Sequence, residues 1–143
     1  VMTRSGEIFQ HGREELDFGY RQSSLDELVI LDADFKLERE DPGILTKRMQ
    51  QQWIVKKAGQ PPAHQASGCI FKNPRGMSAA MLIEQAGMKT ASAGKALVSE
   101  RHANFIVAQE GATAGEVLEL IEIIHDSVAE RLGVELELEL EVW

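Results

Sequence analysis

A chain of 143 residues has room for one ordinary domain or two small ones. Hydrophobic residues make up 43%, which excludes disorder by composition. The net charge of −8 excludes the clustered Lys/Arg footprint of a nucleic-acid binder, though a cleft can still be locally basic. No apolar run approaches the roughly 20 residues of a membrane span. Val1-Met2-Thr3-Arg4 leads into a polar turn, not a signal-peptide core. The one cysteine, Cys69, cannot close an internal disulfide, which fits a reducing compartment.

The chain opens like the interior of a domain, so it is expected to be a fragment. Arg4-Ser5-Gly6-Glu7 reads as a hairpin-like turn with Ile8-Phe9 returning, and Glu14 to Asp17 as one helical turn. Phe18-Gly19-Tyr20-Arg21-Gln22-Ser23 places a glycine before an aromatic and a guanidinium. A plain surface loop would also read this way. Residues 28–37 predict a strand, continuously apolar at first and alternating from Ala33 to Leu37. Asp41 and Pro42 start a helix with Leu45, Met49, Trp53 and Lys56 on one face, and Gly59 stops it. Pro61-Pro62-Ala63-His64-Gln65 is a short, stiff boundary, giving domains 1–62 and 63–143.

Ser67-Gly68-Cys69-Ile70-Phe71-Lys72-Asn73-Pro74 is a short apolar strand between breakers. Ser78 to Ala86 reads as a compact helix, residues 88–96 as an irregular loop, and Phe105 to Ala108 as a buried strand. Thr113 with Glu116 makes a capping box for the last helix. Its stripe runs Val117, Ile121, Ile124, Val128, Leu132, and Gly133 ends it. A period-two strand closes the chain, with Val134, Leu136, Leu138, Leu140 and Val142 opposite Glu135, Glu137, Glu139 and Glu141. The pattern is α+β.

The histidines His11, His64, His102 and His125 lack ligand spacing, so no metal site is expected. His125 reads as solvated. Cys69 is read in three ways: a small buried hydrophobe, a proton donor with a pKa near ~8.5, or a nucleophile with no His partner evident by spacing. Four carboxylates in a row repel unless they face water, and any one that meets a dry cleft is a candidate for proton chemistry.

These pieces, in order and spacing, resemble UDP-N-acetylenolpyruvoylglucosamine reductase (MurB, UDP-N-acetylmuramate dehydrogenase). Further segments that carry the likeness are Leu82 to Lys89, Val98 to Val107 and Gly133 to Glu137. The resemblance implies FAD-dependent, NADPH-driven reduction of an enolpyruvyl ether on a UDP-sugar in peptidoglycan precursor synthesis, in the cytoplasm. Hydride goes to the vinyl carbon and a proton to its neighbour. The enolate-like intermediate needs positive charge and donors. Arg21 matches the family arginine in that role, and Cys69 stands where the family most often has a serine as general acid. Glu139 aligns with the catalytic glutamate, and Tyr20, Lys72 and Asn73 match positions near substrate. Leu138 replaces the usual proline, so Glu137 or Glu141 stays open for the glutamate role. Thr90 and Lys95 stand where the family tends to glycine. The run from Ser23 straight into Leu28 resembles the subgroup without an inserted tyrosine loop.

By the same resemblance, residues 1–62 are the end of the second FAD-binding domain and 63–143 the substrate-binding domain. The main FAD-binding portion is missing, so the chain alone is expected to bind no FAD stably and to turn over nothing. Two alternatives come from other classes: a non-catalytic ligand- or protein-binding α+β module, and a thiol enzyme with Cys69 as nucleophile.

Overall fold

The computed structural model describes residues 1–25, 29–62, 66 and 68–142. They divide into two compact units, Val1–Asp41 and Pro42–Trp143.

In the first unit, Met2 pairs antiparallel with both Ile8 and Val29. The turn between Met2 and Ile8 closes through Gly6 N–H to Thr3 O at 3.0 Å, with Gly6 at φ 88°. This is the turn that Arg4 to Glu7 predicts. The expected helical turn is a 3-10 turn at Arg13–Glu15. Strands β1 (Phe18–Gly19) and β2 (Gln22–Ser23) form a hairpin in which Gly19 faces Gln22, so Tyr20 and Arg21 are its two loop residues.

No described residue of this unit is buried. The strand expected over 28–37 does not form. Leu28 lies outside the described residues, Val29 makes the single bridge to Met2, and residues 30–41 join no ladder. A strand needs neighbours for its backbone groups and its apolar face. Here neither is supplied, and Phe35 and Leu37 are 79% and 83% exposed.

The second unit begins with α1 (Pro42–Gly59), which forms at the expected place but buries none of its residues. Helix α2 (Ala79–Gln85) follows, with the Ser78 hydroxyl accepting from Met81 N–H. Residues 88–96 hold more order than the sequence suggests. Strand β3 (Ser92–Ala93) turns at Gly94-Lys95 into β4 (Ala96–Val98), and β5 (Ile106–Ala108) pairs with β4 to complete an antiparallel sheet in the order β3-β4-β5. Ala-Ser-Ala-Gly has little strand propensity. The hairpin is set instead by its turn and by the helix over it, since Gly94 sits at φ 53° and Lys95 N–H reaches Glu116 Oε1 at 3.3 Å.

Helix α3 (Ala114–Leu132) has the predicted ends. Thr113 and Glu116 exchange both capping-box hydrogen bonds, and Gly133 adopts φ 66°. Leu120, Ile121, Ile124 and Val128 are buried against α2 and the sheet, together with Leu82, Ile83, Val98 and Ile106. Arg131 at the end of α3 donates from Nη1 to Ala86 O at 2.7 Å, satisfying the last turn of α2.

The C-terminal segment keeps its alternation but is not the long strand expected. Leu136 is buried, and Val134 and Leu140 pack against the core. Only Leu138 makes a bridge, to Phe71. The partner segment bends at Gly68 (φ 123°) and again at Ile70, which ends the ladder. The fold is α+β, and among the described residues no helix is long and apolar enough to cross a membrane.

Candidate active site

The segment from Gly68 to Asn73 lies beside the C-terminal segment. Lys72 N–H donates to Glu137 O and Glu139 N–H to Ile70 O, each at 2.8 Å. Lys72 therefore stands across from Glu137, and Ile70 across from Glu139. Cys69 is half-buried and comes one position before the residue opposite Glu139. Ile70 and Phe71 are buried in the core, so this part of the backbone is anchored from below.

The structure separates the four glutamates, which the sequence leaves alike. Glu135 meets His125, whose Nε2 lies 3.0 Å from Glu135 Oε2 and whose Nδ1 lies 3.1 Å from Asp126 Oδ1. His125 is thus a half-exposed bridge between two carboxylates, not the solvated side chain expected. Its place opposite the C-terminal segment depends on the chain reversal at Gly133, which the helix pattern does not carry. Glu137 pairs with Lys72 Nζ, and Glu141 is exposed. Glu139 is the one of the four that is not exposed, and its Oε2 lies out of reach of solvent.

Lys72 is mostly buried, with its side chain 24% exposed. Asn73 has an exposed side chain whose Oδ1 accepts from Ala79 N–H at 2.9 Å, so it also helps to start α2. Cys69, Lys72, Asn73 and Glu139 are thus gathered along one short ladder. Tyr20 and Arg21 belong to the first unit, where they form the exposed hairpin loop. Arg21 is the single non-glycine residue with positive φ among those described, at 59°.

One residue escaped the sequence reading. Asn104 is 2% exposed, and its side chain takes both backbone groups of Phe71: Phe71 N–H donates to Oδ1 at 2.9 Å and Nδ2 donates to Phe71 O at 2.8 Å. The available signal was an amide set between Ala103 and the apolar run Phe105-Ile106-Val107.

Residues 60–143 match the family described as UDP-N-acetylenolpyruvoylglucosamine reductase, C-terminal domain. The chain belongs to that family. Among its relatives, the UDP-N-acetylenolpyruvoylglucosamine reductase of Clostridium botulinum (strain Hall) is 36% identical over 144 residues, covering 99% of this chain and 47% of the relative. The same-named protein of Limosilactobacillus fermentum is 38% identical, covering 99% and 48%. The crystal structure of the Thermus caldophilus reductase superposes with a TM-score of 0.75 at 40% identity, covering 91% of this chain and 46% of that one. The chain thus spans about half the length of the relatives it matches.

The family's name raises the question of a nucleotide cofactor. A dinucleotide diphosphate is best held at an open helix N-terminus after a strand. Among the described residues of the second unit both such ends are closed. Ser78 and Asn73 occupy the start of α2, and Thr113 with Glu116 occupies the start of α3, where Glu116 adds a negative charge. These residues do not fit a dinucleotide cradle.

Proposed function

We propose that this chain is the C-terminal portion of a flavin-dependent oxidoreductase that reduces UDP-N-acetylglucosamine enolpyruvate to UDP-N-acetylmuramate. The reaction serves peptidoglycan precursor synthesis in the cytoplasm, with FAD and NADPH as cofactors. Residues 1–62 would complete the FAD-binding region, and residues 63–143 would bind the UDP-sugar. Since the helix ends of the second unit do not fit a dinucleotide cradle, the flavin would be held by the first unit together with the length that the relatives have beyond this chain.

The observation that supports the reading is the ladder, in which Glu139 lies across from Ile70, the residue after Cys69, within the family-matched region. Cys69 is the proton donor to the carbon beside the substrate carboxylate. A thiol is mostly protonated at neutral pH and gives up its proton more readily than a hydroxyl. Glu139 is the neighbouring carboxyl group, which in its protonated form would donate a hydrogen bond to the developing enolate. Its buried oxygen and its place in the ladder support this role over Glu137, which pairs with Lys72, and over the exposed Glu141. Arg21 neutralises the growing negative charge, while Tyr20, Lys72 and Asn73 hold the substrate.

The test uses the complete enzyme and follows NADPH oxidation driven by the enolpyruvyl UDP-sugar. Cys69→Ser should retain measurable turnover, because a hydroxyl can serve as donor. Cys69→Ala and Glu139→Gln should each lose about 10²- to 10⁴-fold in kcat. Undiminished turnover in Cys69→Ala would remove the general-acid assignment.

A further inference from the structure

We propose that Asn104 is the positioning residue of this site, setting the Cys69 thiol against the Glu139 carboxylate. The proposal rests on the roles given to Cys69 and Glu139 above. Asn104 lies in the turn between β4 and β5, which is closed by Ser99 N–H to Phe105 O at 2.8 Å and by Phe105 N–H to His102 O at 3.0 Å. Its own N–H donates to His102 Nδ1 at 3.3 Å, so the amide stands on a fixed base.

From there it makes three hydrogen bonds to the two residues that follow Cys69. Ile70 N–H donates to Asn104 O at 2.9 Å, and Phe71 exchanges N–H and C=O with the side-chain amide at 2.9 and 2.8 Å. The same two residues are held elsewhere by the segment that carries Glu139. Ile70 O accepts from Glu139 N–H, and Phe71 bridges Leu138. The chain after Cys69 is therefore fastened both to Glu139's segment and to a single side chain that imitates a neighbouring strand.

Asn104 satisfies the buried backbone N–H and C=O of Phe71, and in doing so it adds a constraint that packing does not. Phe71 is already 1% exposed and Ile70 2%, so packing alone anchors them in the core. Packing is non-directional, whereas an amide that takes both the N–H and the C=O of one residue fixes its rotation and register. A buried amide is costly unless every group is satisfied, and here each satisfied group points at the segment that bears the thiol. A misplacement of about 1 Å between reacting groups can cost on the order of 10²-fold in rate.

The test places Asn104→Asp and Asn104→Ala in the complete enzyme. Asn104→Asp keeps the acceptor for Phe71 N–H and puts an oxygen where Nδ2 donates. At a temperature well below melting, each folded variant should lose about 10- to 100-fold in kcat, while KM for the UDP-sugar moves by less than about threefold. Iodoacetamide labelling of the Cys69 peptide should change in rate by more than about threefold, and Phe71 amide exchange should accelerate. If both variants melt earlier but keep wild-type kcat and labelling rate, Asn104 is structural only and the proposal is overturned. If Asn104→Ala does not fold, Asn104→Asp and Asn104→Ser decide on the same readouts. A wild-type enzyme without reductase turnover would count against the proposed function alone, since labelling and exchange still test what Asn104 sets.

Discussion

Arg21 occupies a backbone conformation that a side chain makes costly. Its φ of 59° is in the left-handed region, worth roughly 1–2 kcal/mol for a residue with a Cβ. Glycine at this loop position would remove the strain, and a guanidinium kept there fits the role proposed for it. Arg21→Gly should therefore leave the hairpin as stable as before or more so, while the proposed turnover falls by about 10²-fold or more. Thermal melting and NADPH-linked kinetics on the same variant separate the two effects. Equal losses of stability and activity would point to a merely structural arginine. The chemical types of Cys69, Lys72 and Arg21 were legible in the sequence, because reactive groups are rare and stand out. Asn104 was not, since its role depends on a contact 33 residues away in the chain.

Helix α3 was readable from end to end because its signals are local. The capping box, the apolar stripe and Gly133 all lie within one stretch of chain, and the structure uses each of them. Two of the expected strands failed for the opposite reason, while the one over Phe105 to Ala108 formed as β5. Alternation in 28–37 and 134–142 specifies faces, but a ladder also needs a partner in register, and pattern alone does not name one. At the other end of α3 the cap makes a pH prediction. Thr113 N–H first, then Lys95 N–H and the Thr113 hydroxyl, hold the Glu116 carboxyl below its usual value, against a smaller opposing effect of burial. A carboxylate whose folded pKa is depressed contributes stability above its unfolded value and loses it as pH falls through the folded one. Glu116→Gln should thus be less stable than wild type near neutrality, and the gap should narrow as pH falls below about 4. Melting curves of both proteins across that range would show it. A gap independent of pH would mean that the amide replaces the carboxylate only sterically.

On the scale of the whole molecule, burial is unevenly shared. The core lies between α2, α3 and the three-stranded sheet, together with the segment around Phe71 and Leu136. None of the described residues of Val1–Asp41 is buried, and α1 exposes Met49, Trp53, Ile54 and Val55. An 18-residue helix with no packed face is marginal in water, and local opening costs little where few apolar contacts must break. Hydrogen exchange on the isolated 143-residue chain should therefore find slow amides in α2, α3, β4, β5 and at Ile70 and Phe71. Amides of Val1–Asp41 and α1 should exchange at least about tenfold faster than those of α3. Their exposed apolar side chains should also bind a hydrophobic dye. Under the proposed function, the complete enzyme supplies the cover. The same amides of α1 should then slow and the dye signal fall, whereas protection in α3, whose core is already closed, should barely change. Fast exchange of α1 in the complete enzyme would mean that this face stays bare, and the assignment of residues 1–62 to a larger FAD-binding region would fail.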